Sequence, residues 1–138
     1  MYLTYSEYQD MGGTLEETAF NDLEFEAESI INWYTFNRLV KETEFSAPVK
    51  KLMYRLVAIC QLKQDALSVG GTTGSASSAG AIASQSNDGF STSFNVLSAQ
   101  AGLEASDAEI KRLVNNYLSA EVNSLGHRLL YRGIYPDE

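Results

Sequence analysis

Between Asp65 and Glu104 this chain carries a single charge, Asp88, and that gap sets what the rest can fold into. On either side the apolar residues recur at helical spacing. Inside it, residues 70–94 read GGTTGSASSAGAIASQSNDGFSTSF. Gly70–Ala81 is glycine, serine, threonine and alanine, the composition of a flexible loop. After it, Ile82, Ser84 and Ser86 alternate with small residues. Asn87-Asp88-Gly89 offers a turn, and Phe90, Thr92 and Phe94 then alternate with Ser91 and Ser93. Asp-Gly tolerates the positive φ of a tight turn, so 82–94 is predicted to be a β-hairpin. A lone hairpin is marginal in water. It needs its own helices or a neighbouring subunit to lie on, and its low charge suits contact with another protein.

The chain has 138 residues, which suits a single domain able to bury a core without staples. Its one cysteine excludes an internal disulfide framework and a thiolate zinc cluster. No apolar run reaches the roughly 20 residues that span a bilayer. The start, MYLTYSEYQD, lacks the basic and apolar regions of a signal peptide, so intracellular synthesis is expected.

The net charge is −8 and uneven. Glu7, Asp10, Glu16, Glu17, Asp22, Glu24, Glu26, Glu28, Glu42 and Glu44 face only Arg38 and Lys41 in residues 1–47. Residues 48–67 reverse the sign, with Lys50, Lys51, Arg55 and Lys63 against Asp65. A protein that grips DNA carries a basic surface. This balance argues against that role; it suits either subunits packed head to tail, acidic surface on basic, or two solvated helix faces.

Three helix starts match the capping box: Thr4-Tyr5-Ser6-Glu7, Thr14-Leu15-Glu16-Glu17 and Ser106-Asp107-Ala108-Glu109. The first opens a short helix ended by Gly12-Gly13. The second opens a long helix to about Phe36, with Leu15, Phe20, Leu23, Ala27, Ile30, Ile31 and Tyr34 inward and Glu24 and Glu28 on a polar flank. Ser46-Ala47-Pro48 seeds a third helix, since proline is preorganised for a first turn. Its buried side is Val49, Leu52, Met53, Leu56, Ile59, Cys60 and Leu67, and Gly70-Gly71 ends it. The fourth is expected from about Asp107 to Leu125, with Ile110, Leu113, Val114, Tyr117 and Leu118 inward and Gly126 at C′. The fold class is therefore mainly α: a small bundle of three long helices and a short N-terminal one, with one hairpin and an extended tail over 127–138.

No catalytic constellation emerges. The Gly-rich stretch lacks the Gly-Lys-Ser/Thr ending of a phosphate loop. His127 reads as a structural or surface histidine, and Cys60 as a buried, inert thiol. Trp33, Tyr34 and Phe36 read as core. No cofactor and no metal site is expected. In the tail, Leu129, Leu130 and Tyr131 are expected to close the core, whereas Ile134-Tyr135-Pro136 suit docking on another protein.

The order of these elements, with Tyr34–Leu39, the Ser84–Phe94 hairpin and Leu130–Ile134, resembles the head–tail connector (adaptor) proteins of long-tailed phages and prophages. Gly70–Ala81 is an insertion relative to shorter members. The resemblance implies a non-enzymatic virion subunit at the neck, made in the bacterial cytoplasm. It implies a ring, typically dodecameric, beneath the portal, extending the DNA channel toward the stopper and tail-completion proteins. DNA then passes without sequence-specific binding, and no membrane is involved. Carried onto this chain, Tyr131, Arg132, Gly133, Ile134, Tyr135 and Pro136 are the portal-contact candidates. Ile82, Ser84, Ser86, Asp88, Gly89, Phe90, Thr92 and Phe94 are the ring or stopper candidates. The competing readings are a small acidic regulatory or scaffolding partner without a virion role, and an enzyme's accessory subunit.

Overall fold

The chain enters its first helix through a reciprocal cap. Thr4 Oγ1 accepts from the Glu7 amide (3.3 Å), and Glu7 Oε2 accepts from the Thr4 amide (3.0 Å). Two orphan donors of the helix start are satisfied at once. The computed structural model describes residues 1–71 and 90–136. Its helices are α1 (Tyr5–Asp10), α2 (Glu17–Thr35), α3 (Ala47–Gly71) and α4 (Phe90–Leu118). The mainly helical expectation holds for these residues.

The helical stripes bury as their spacing predicts. Phe20, Leu23, Ala27 and Ile31 of α2 meet Val49, Leu52, Met53, Leu56, Val57 and Cys60 of α3. The same α3 helix packs on Ile110, Leu113, Val114 and Leu118 of α4, so it is the central element. Each of these larger apolar side chains contributes about 1.5–3 kcal/mol by leaving water. Leu67 departs from the predicted stripe and is exposed.

α2 starts without the predicted cap. Glu16, not Thr14, is its N-cap and makes no side-chain cap bond. Tyrosines hold the entry instead: Tyr5 Oη donates to the Leu15 carbonyl (3.0 Å), and the Leu15 amide donates to Tyr8 Oη (3.4 Å). The Tyr8 ring lies so close to Gly13 that a Cβ there would sit 2.1 Å from it.

Glu24 is a further correction. It is buried rather than on a polar flank, and one of its carboxylate oxygens accepts from the amides of Tyr2 (2.7 Å) and Leu3 (3.4 Å). Burial pushes its carboxyl above the ordinary range. Glu28, half-buried, pairs with the Met1 ammonium at 2.5 Å.

The largest correction concerns the predicted hairpin. Phe90, Thr92 and Phe94 belong to the first turns of α4, not to a strand. Phe90, Phe94 and Leu97 are spaced by four and three, so the run satisfies a helical period as well as an alternating one. Its other half, Ile82, Ser84, Ser86, Asp88 and Gly89, lies outside the described residues, as do positions 72–81 of the predicted loop. Gly70 and Gly71 end α3. Because α4 begins at Phe90, the Ser106–Glu109 box is interior to it, and Ser106 Oγ donates back to the Gly102 carbonyl (2.8 Å).

α4 stops at Leu118, seven residues short of the predicted end. Beyond it Asn123 orders the loop: its Oδ1 accepts from the amides of Leu125 (3.1 Å) and His127 (2.8 Å). Gly126, with φ 80°, turns this loop rather than capping the helix. An isolated antiparallel bridge, Val122 to Arg128, sends the C-terminal segment back toward the bundle.

Candidate docking site at the C-terminal segment

α2 ends in a Schellman-type turn. The Asn37 amide reaches back to the Asn32 carbonyl (2.9 Å), and Phe36 takes the left-handed position that glycine usually fills. Phe36 (φ 54°) and Asn37 (φ 60°) are both left-handed, an uncommon pair for side chains with a Cβ. Their effect is to reverse the chain and turn Arg38 inward.

Arg38 is only 7% exposed. Its guanidinium donates to the carbonyls of Arg128 (3.4 Å), Leu129 (3.4 Å), Tyr131 (2.5 Å) and Gly133 (2.8 Å). A planar fork with five donors can serve several carbonyls at once, which an ammonium cannot match. The Phe36 and Tyr135 rings flank it, 5.5 and 5.2 Å from the guanidinium carbon. Tyr135 in turn stacks on His127 with centroids 3.9 Å apart and planes 5° from parallel. Its hydroxyl accepts from the Arg128 amide (3.0 Å). Residues 127–135 thus wrap one cation.

The wrapping sorts the portal-contact candidates. Gly133 and Tyr135 are engaged within the subunit. Arg132 and Pro136 face solvent, and Ile134 is 86% exposed. Leu129 is buried and Leu130 packs on the core, but Tyr131 remains 49% exposed and does not close it. The ring or stopper candidates Phe90, Thr92 and Phe94 lie along one helix. Their partners 82–89 lie outside the described residues.

Two features escaped the sequence reading. Arg38 is the organising residue; its signal was a cation between Phe36 and Leu39 in a stretch dominated by acids. Trp33 and Phe36 are not core but 74% and 52% exposed. With Tyr34, Asn37, Lys111 and Arg132 they line an open groove of about 720 Å³ beside the C-terminal segment.

Cys60 is buried, and desolvation pushes its thiol up to about 11, far from a thiolate at neutral pH. Among the described residues no His, Cys, Asp and Glu side chains group to hold a metal ion. Nor is any helix among them long and apolar enough to cross a membrane. The chemistry on offer at the C-terminal segment is recognition: one exposed isoleucine, two exposed cations and open aromatic rings. Compared with known proteins, the chain matches no family model, no curated protein and no solved structure.

Proposed function

We propose that this chain is a structural subunit of a phage head–tail connector, one copy of a ring that joins the capsid portal to the tail. The observation that carries the reading is the C-terminal segment. Arg38 fixes its backbone while Ile134 projects into solvent, 86% exposed. An apolar side chain on a fixed backbone loses little entropy on docking, which is what an anchor needs. Tyr131, Arg132, Ile134 and Pro136 are then the portal contacts. Gly133 and Tyr135 hold the segment in shape. The start of α4, the stretch that includes Phe90, Thr92 and Phe94, is the candidate for ring or stopper contact. Asp10, Glu16 and Glu17 are exposed. Such acids along a channel would repel phosphate and let DNA slide.

The test is to label the chain on purified particles and image the neck, alongside particles assembled with Ile134→Asp. The expected result is label at the head–tail junction and unjoined heads and tails with the variant. Absence of the chain from particles would overturn the reading in favour of a small acidic regulatory partner.

A further inference from the structure

The outward face of α2 has no role in the proposal above. Asp22, Phe25, Glu26, Ser29 and Trp33 are all exposed. At 100° per residue they share an arc of about 100°, opposite the core stripe. Phe25 and Trp33 are 71% and 74% exposed, so two large aromatic side chains stand in water on one helix. Single exposed apolar residues need no explanation, but a pair on one face does.

The face is polarised. Asp22 and Glu26 make its N-terminal end acidic. At its C-terminal end, Trp33 lines the groove that also holds Lys111 and Arg132, whose lining contains no acid. Ser29 lies midway, four residues from each aromatic. Its hydroxyl is already satisfied, donating to the Phe25 carbonyl (2.9 Å), so it presents a small surface that demands no partner.

From this pattern we infer that the outward face of α2 is a self-docking surface, on which two copies pair antiparallel about Ser29. Reversal about that residue brings Phe25 of one copy onto Trp33 of the other, twice. It also brings the Asp22 and Glu26 end of each toward Lys111 of its mate. A head-to-tail contact would need two different faces; here one face complements itself, the requirement of a two-fold interface. Helices that cross at a small residue approach to about 8–10 Å between axes. With Cα atoms roughly 2.3 Å from each axis, the two Ser29 Cα atoms come within the span that a disulfide bridges. The contact does not rest on the connector reading.

The experiment is sedimentation of the full chain over a concentration series, with oxidative cross-linking of Ser29→Cys. The expected results are a dimer for the wild type and a dissociation constant raised about tenfold or more by Trp33→Asp. Asp22→Lys weakens the dimer, and adding Lys111→Glu restores it. Ser29→Cys cross-links to itself, whereas the wild type, whose lone Cys60 is buried, does not. All four positions are exposed, so the monomer fold is not at stake. A monomeric wild type, association indifferent to Trp33→Asp, or a dimer in which Ser29→Cys fails to cross-link overturns the inference. None of these outcomes touches the Ile134 test of the connector reading.

Discussion

Arg38 donates to the Gly133 carbonyl at 2.8 Å across 95 residues of sequence, and this bond joins the end of α2 to the end of the chain. With the bonds to Arg128, Leu129 and Tyr131 it makes the C-terminal segment part of the fold. Removing residues from Tyr131 onward therefore leaves the buried guanidinium with fewer acceptors, and a truncation tests the core as much as the docking surface. Ile134→Asp leaves those carbonyls in place and is the cleaner probe.

Arg38→Lys keeps the charge and loses the fork. Hydrogen bonds to a charged group contribute about 1.5–3 kcal/mol, and the ammonium cannot serve four carbonyls. We expect a loss of about 2–3 kcal/mol in urea unfolding and faster amide exchange at Leu129 and Tyr131. Exchange unchanged in this segment would count against the clamp.

Gly13→Ala places a Cβ 2.1 Å from the Tyr8 ring. The ring also packs at a tilt against Phe20 (centroids 4.7 Å apart) and Tyr54 (5.6 Å), so it has little room to yield. Overpacking of this kind costs about 1–3 kcal/mol. Thermal unfolding of the variant should show a lowered midpoint; an unchanged one would mean that Tyr8 moves freely.

Glu24 and Glu7 act on stability in opposite senses below neutral pH. Burial raises the Glu24 carboxyl in the folded state. Its protonated form is therefore favoured by folding, a contribution full below the unfolded value of 4.5 and lost as pH rises through the raised one. Glu24→Gln, which keeps an acceptor for the Tyr2 and Leu3 amides, should remove that pH dependence. Glu24→Ala leaves both amides unpaired and should cost about 1–3 kcal/mol at any pH. Unfolding free energies measured from pH 4 to 8 would separate these cases.

Glu7 behaves in the reverse way. The Lys50 ammonium beside it, at 2.5 Å, and the Thr4 amide hold its carboxyl down to about 2. Its contribution is present above 4.5 and fades as pH falls toward 2. Both partners are about one third exposed, so solvent screening limits the pair to about 1 kcal/mol or less. Lys50→Met should remove part of the acid sensitivity, and added salt should lessen it in the wild type.

The sequence by itself determined most of the buried sides of α2 and α3 and the presence, though not the bounds, of α4. Phe20, Leu23, Ala27 and Ile31, and likewise Leu52, Met53 and Leu56, bury because period and face are properties of one segment. The Thr4 cap was legible for the same reason, since its partner Glu7 lies three residues away. Residues 90–94 were not legible: Phe90-Ser-Thr-Ser-Phe94 fits both a period of two and a spacing of four, and small polar residues do not decide between them. Tertiary structure alone decided the fates of Glu24, Arg38 and Trp33. A carboxylate becomes buried only when the chain start arrives with unpaired amides, and a guanidinium turns inward only when a distant segment offers carbonyls. Trp33 stays in water because α3 packs on the opposite face of α2. These outcomes depend on which surfaces meet, and that information is not local to any of the residues concerned.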